Sequence, residues 1–186
     1  MRKIYLFISG TQTGVSKCVS FFTRSKNTHS TLSLDGKFDC MYTFGRFTLK
    51  PLPSRFVKEN IRTNVLKKYD YCPCKIFEID VDDEQYANLL KEIKRYEDEK
   101  QKYKYAILGA FLCAFRIKKT FKYKRFCSQF VANLLHDGAG LELPYDTSLM
   151  RPKDFLLLDY IKPVYEGSIR SLAEKVDSGE LVLPVE

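Results

Sequence analysis

A thiol at the start of a helix, directly behind a run of cations, has the setting of a nucleophile. Cys127 occupies that place in the stretch KRFCSQFVANLL, residues 124 to 135. A helix N-terminus and adjacent positive charge both favour thiolate over thiol. Cys127, Phe130, Val131, Leu134 and Leu135 fall on one helical stripe, so the cysteine points the way the buried face points. The backbone N–H groups of Ser128 and Gln129 in that first turn would face the sulfur, and one of them would be placed to bind an oxyanion. Packing is the competing explanation, because free cysteine is a common small core residue.

A cysteine nucleophile needs an imidazole as base and later as acid. The chain has two histidines. His136 lies on the same helix but roughly 13 Å farther along its axis. It suits the helix C-terminus, not the thiol. His29 opens an apparent strand far upstream, and only tertiary folding brings it to Cys127.

The elements that must do this positioning are readable in outline. KIYLFISG (3–10) reads as a first strand, followed by a helical face of Val15, Cys18, Val19 and Phe22 capped by Thr13. THSTLSL (28–34) and CMYTFGRF (40–47) read as two strands joined by DGKFD, where Asp-Gly signals a hairpin. KPLPSRF (50–56) reads as a loop held open by two prolines. KIFEIDV (75–81) alternates as a half-buried strand. Asp82 with Gln85 forms a capping box before Tyr86, Leu89, Leu90, Ile93 and Tyr96 at helical spacing. A second helix spans YAILGAFLCAF (105–115), whose apolar character predicts burial. The Cys127 helix ends at HDGAG with Gly138 as its cap. DFLLLDY, IKPVYEG and ELVLPVE read as strands or tails that, with a short helix around SIRSLAEKV, close the fold. The pattern is α+β, with a central, mainly antiparallel sheet and helices packed on it, in a single domain over 1–186.

With 186 residues, 45% of them hydrophobic and 29% charged, the chain has enough apolar mass for a core. No apolar run approaches the roughly 20 residues of a membrane-spanning helix. The N-terminus is a poor signal peptide, and the expected compartment is the cytoplasm. Six cysteines at 18, 40, 72, 74, 113 and 127 are then expected as reduced thiols. Cys72 and Cys74 lack the further ligands of a structural zinc site, so no metal or other cofactor is expected. The net charge of +8 is uneven: residues 100 to 126 hold nine Lys/Arg and no Asp or Glu. That basic segment suits an anionic substrate, a membrane surface or nucleic acid, or is simply a solvated face.

KNTHSTLSLDGKFDCMYTFGR followed by KRFCSQFVANLLHDGAG resembles the permuted branch of the papain-like, NlpC-type peptidase and amidase superfamily, the YiiX-like group. There the histidine opens a strand in a Thr/Ser-His context, a strand ending in a Tyr-x-Phe-Gly pattern follows, and the cysteine comes last at a Phe-Cys-Ser helix start. RPKDFL (151–156) resembles that group's Pro-x-Asp strand after the catalytic helix. The resemblance spans about residues 5 to 165. It implies a circularly permuted papain-like fold and a hydrolase or acyltransferase acting on an amide, thioester or ester through a Cys127 thiolate and a His29 base.

Members of that group often carry a third polar residue, commonly Glu, on the strand after the histidine strand. The matching stretch CMYTFG has no carboxylate, and Thr43 stands at that place. Some members also place a tyrosine before the cysteine helix to help the oxyanion, and Tyr123 stands there here. His29 shares a strand face with Thr31 and Ser33, opposite Leu32, so a bulge or an irregular strand start at residue 29 is expected if the ring is to reach the helix. On this reading the partner is a peptide, amide or lipid-acyl substrate, with nucleic acid not expected as the substrate. The alternative is a non-catalytic module of the same fold that uses residues 100–126 for an anionic partner, a lipid surface or nucleic acid. The missing carboxylate favours that alternative.

Overall fold

The computed structural model describes residues 1–10, 27–45 and 55–184. The helix expected around Val15 to Phe22 lies outside the described residues. Six strands form one sheet: β1 (Arg2–Ser9), β2 (His29–Ser33), β3 (Met41–Gly45), β4 (Arg55–Glu59), β5 (Pro73–Val81) and β8 (Ile161–Ser168). Their order is β4-β3-β2-β1-β5-β8, and every neighbouring pair is antiparallel. Two short strands, β6 (Lys104–Tyr105) and β7 (Lys124–Arg125), pair in parallel beside this sheet. The helices are α1 (Asn64–Lys68), α2 (Asp83–Asp98), α3 (Ile107–Ala114), α4 (Cys127–Asn133) and α5 (Ile169–Asp177). The fold is α+β, as the residue pattern predicts.

β1 is central and covered on both sides, which is why IYLFI reads as an unbroken apolar run. Ile4, Leu6 and Ile8 face one core with Leu32, Phe44, Phe56, Phe77 and Ile79, against Leu89, Ile93 and Tyr96 of α2 and Phe130 and Val131 of α4. Tyr5 and Phe7 face a second core with Met41, Ile76, Ile169 and Leu172. Asp82 accepts the Gln85 N–H at 2.7 Å while the Gln85 side chain accepts the Asp82 N–H at 2.9 Å, the reciprocal cap predicted for α2.

Three expectations change. The prolines at 51 and 53 do not keep residues 55 and 56 in a loop: β4 begins at Arg55, just beyond the last proline, and forms the edge of the sheet. The Cys127 helix does not stop at a cap on Gly138. α4 passes into a π-helical segment over Leu134–Gly138, and Gly140, with φ of 66°, takes the left-handed conformation. Gly138 instead allows close approach to α2, since a Cβ there would lie 3.3 Å from the Leu89 Cα. DFLLLDY is no strand, because Pro152 opens a 3₁₀ turn over Pro152–Leu157.

The five described cysteines, 40, 72, 74, 113 and 127, are free thiols. Among the described residues no group of His, Cys, Asp and Glu could hold a metal ion, and no helix is long and apolar enough to cross a membrane.

Candidate active site

Cys127 opens α4 after Phe126, whose extended backbone serves as the N-cap. Phe130, Val131 and Leu134 anchor the helix in the first core, so the first turn is held against β2. The sulfur lies at the N-terminal end of that strand, 4.0 Å from the Thr28 carbonyl. Only 5% of the residue is exposed.

His29 is the first residue of β2 and pairs with Ser9 in regular register. No bulge is present there, but on the other side of β2 the ladder to β3 covers only Leu32 and Ser33 and does not reach His29. Alternation puts His29, Thr31 and Ser33 on the sheet face opposite Leu32. The ring nevertheless engages the Cys127 thiol, because the sulfur sits at the strand's end and not over its face. The sheet thus brings Cys127 and His29 together.

The other end of the imidazole meets a carboxylate. His29 Nε2 donates to Glu59 Oε2 at 3.0 Å. Thr31 Oγ1 donates to the same oxygen at 3.3 Å and lies 3.3 Å from the ring nitrogen. Glu59 ends β4 and reaches His29 across β3. Gly45 of β3 keeps the space open: a Cβ there would stand 3.3 Å from Glu59 Oε1 and 3.5 Å from His29 Cε1.

Thr43 is not the residue that holds the imidazole. Its hydroxyl donates to the Ser30 carbonyl at 2.8 Å and is buried there, so it ties β3 to β2. The carboxylate that faces the ring comes one strand farther out. The signal for it lay in RFVKE, where Phe56 and Val57 are strand-forming residues just past the second proline.

Tyr123 also sits elsewhere. Its ring packs on Tyr103 with centroids 5.7 Å apart, and the Lys122 ammonium lies 5.3 Å from its centroid. Tyr105 takes the place expected of Tyr123. The β6–β7 ladder aligns Tyr105 with Arg125, two residues before the cysteine. The Tyr105 side chain lines the same cleft as Cys127, close enough for the sulfur to bear on its phenol. Burial pushes the phenol well above its ordinary value, so it remains a neutral O–H donor. Ser128 is buried directly after the cysteine, and its backbone N–H, with that of Ser30, favours the charged form of the sulfur. Two buried polar atoms on the neighbouring elements, Ser30 Oγ and Gln129 Nε2, have no hydrogen-bond partner.

The electrostatics follow from this geometry. Burial opposes charge on both groups. For His29 it is outweighed by the Glu59 carboxylate and by Cys127, and the imidazolium persists to about 10. For Cys127 burial is outweighed by His29 and by the N–H groups of Ser30 and Ser128, so the thiol lies below its ordinary value. Arg125 is turned away, donating to the carbonyls of Phe121 at 2.6 Å and Lys124 at 2.8 Å. Cys74 and Cys113 are raised by burial to about 12, as inert core thiols are. His136 accepts no such role, with Nδ1 3.2 Å from the Leu141 carbonyl at an exposed helix end.

A narrow cleft opens beside the sulfur. Thr28, Tyr105, Ala110, Cys113, Phe126 and Arg151 are among its walls. Arg151 is fixed by Asp154, which accepts from its Nε and one terminal nitrogen, each at 3.0 Å. No protein-family model matches the chain. No curated protein matches it significantly.

Proposed function

We propose that the protein is a cysteine-dependent acyl hydrolase or acyltransferase. The observation that carries this reading is a buried imidazole held between the Cys127 thiol and the Glu59 carboxylate. In this mechanism the Cys127 thiolate attacks an amide, thioester or ester carbonyl and forms a C–S bond. The negative charge that develops on oxygen is met by the Tyr105 hydroxyl and by backbone N–H at the start of α4. The tetrahedral intermediate collapses as the imidazolium of His29 protonates the leaving amine, thiol or alcohol, giving an acyl-thioester. Neutral His29 then takes a proton from water, or from another acceptor, which attacks the thioester. Thiol release returns the proton to the pair. Glu59 orients the ring and favours its charged form throughout.

The arrangement also supports the resemblance to permuted papain-like enzymes. The histidine strand comes first, the cysteine helix last, and a carboxylate joins them from the sheet. Glu59 removes the feature that spoke for a non-catalytic module, since the third carboxylate is present on β4. Amide, thioester and ester substrates all remain compatible with the cleft.

The test is chemical. At pH 6 an alkylating agent should modify Cys127 at least about tenfold faster than Cys40, the most exposed described cysteine. Intact mass should reveal an acyl adduct from an activated thioester, absent in Cys127→Ala. Labelling of Cys127 no faster than of Cys40, or independent of His29, overturns the reading.

A further inference from the structure

α3 is apolar on every side, yet its residues are distributed in an unusual way. The small residues Gly109, Ala110 and Cys113 face inward, onto Ala106 and Phe126. Gly109 is needed there, because a Cβ would lie 3.0 Å from the Ala106 Cβ and 3.4 Å from the Phe126 ring. The large residues Ile107, Leu108, Phe111 and Phe115 share the opposite side, and Ile117 follows. Ile107 is 66% exposed, Leu108 58% and Ile117 52%. The buried helix expected from the sequence is therefore buried only on its small side. An ordinary surface helix does the reverse, with large apolar residues inside and polar ones outside.

The surroundings of this face are cationic. Lys104, Lys119, Lys122 and Lys124 are all exposed, Lys118 is paired with Asp146 at 2.6 Å, and no acidic residue occurs between positions 100 and 126. An apolar ridge bordered by lysines is complementary to a layer with an anionic surface and an apolar interior. Neither an RNA nor an acidic protein tail supplies the second half of that match. The same helix carries the cleft, because Ala110, Cys113 and Ala114 line it together with Cys127. One short helix thus has a large apolar outer face and an inner face beside the nucleophile.

We infer that α3 and the lysines around it dock on an anionic lipid bilayer, with Ile107 and Leu108 entering the acyl layer. Docking stands on the surface alone. Its service to Cys127, by presenting a bilayer-held acyl group to the cleft, rests on the acyl-transfer reading.

The chain contains no tryptophan, so an introduced one reports directly. Vesicles of phosphatidylcholine with and without phosphatidylglycerol serve as the probe. Ile107→Trp fluorescence should shift to shorter wavelength with phosphatidylglycerol vesicles, while Val182→Trp, on the second-core side, should not shift. In sedimentation, Ile107→Glu with Leu108→Glu should weaken binding at least about tenfold. Lys119→Glu with Lys122→Glu should weaken it similarly, and raised salt should mimic that loss. The milder Leu108→Gln checks that any loss is not unfolding, since its melting curve should match the parent's. Cys127→Ala should bind vesicles as the parent does.

Absent binding, or binding indifferent to Ile107→Glu with Leu108→Glu, overturns the inference. So does a polynucleotide that binds more tightly than the vesicles and responds to the lysine variants alone. Vesicle binding with an inert Cys127 would sink the catalytic reading and leave the docking face standing. A reactive Cys127 without vesicle binding would do the opposite.

Discussion

Glu59 Oε2 and His29 Nε2 lie 3.0 Å apart although β3 runs between their strands. The contact is buried, and Thr31 closes it from the side by donating to the same carboxylate oxygen. The carboxylate is the largest influence raising the imidazole's proton affinity. Glu59→Gln should therefore reduce thiolate formation at Cys127. The rate of Cys127 alkylation near pH 6 should fall roughly tenfold, from a loss of about 1.4 kcal/mol, and recover substantially at pH 9. A pH-independent loss would mean that Glu59 acts only in packing.

Gly45 tests the same contact sterically. A methyl group at this position meets both Glu59 and the His29 ring within about 3.5 Å. Gly45→Ala should separate the pair and slow alkylation at pH 6 by the same order as Glu59→Gln. Thr43→Val, by contrast, removes only the bond to the Ser30 carbonyl. It should cost about 1–2 kcal/mol in urea unfolding while changing the alkylation rate less than twofold.

Tyr105 should separate thiol reactivity from turnover. Its hydroxyl shares the cleft with the sulfur but carries no charge. Tyr105→Phe removes a donor from the place where an oxyanion forms, which typically costs about 10²–10³ in kcat. Hydrolysis of an acyl-thioester substrate should fall accordingly, with alkylation of Cys127 changed only severalfold. Tyr123→Phe should leave both close to the parent values.

The nucleophile and the base were legible because each is carried by a local pattern. Cys127 is marked by the cations before it and the stripe behind it, and His29 by the strand it opens. Glu59 and Tyr105 were not, and the reasons differ. Glu59 belongs to a five-residue edge strand that starts two residues after a proline, where turn signals dominate the local pattern. Its role depends on a sheet order in which β4 lies two strands from β2. Tyr105 is placed by a two-residue parallel ladder between segments twenty positions apart, which leaves no periodicity to read. The helix α3 misled through composition, since hydropathy alone does not say which side of a helix is covered.

The ion pair should also leave a signature in stability. Unfolded, the imidazole loses its proton near 6.5 and the thiol near 9.0. Folded, His29 stays charged to about 10 and Cys127 ionises below its ordinary value. Above 6.5, from the pH at which the folded thiol has ionised up to 9.0, the folded pair holds one proton, on His29, and the unfolded chain also holds one, on the thiol. Equal proton counts give no slope, so the pair contributes a plateau. Above 9.0 the folded state holds the additional proton, and the contribution is lost as pH rises towards 10. Cys127→Ala removes the thiol's half of this balance while Glu59 still supports the charged ring. The contribution of His29 is then full below 6.5 and declines as pH rises. Across the parent's plateau the variant should lose stability relative to it as pH rises, by up to roughly 1.4 kcal/mol per pH unit, until the variant's own imidazole deprotonates. Urea unfolding of the two proteins at pH 6, 7.5 and 9 measures that difference directly. Parallel pH profiles would show that no proton is shared between Cys127 and His29.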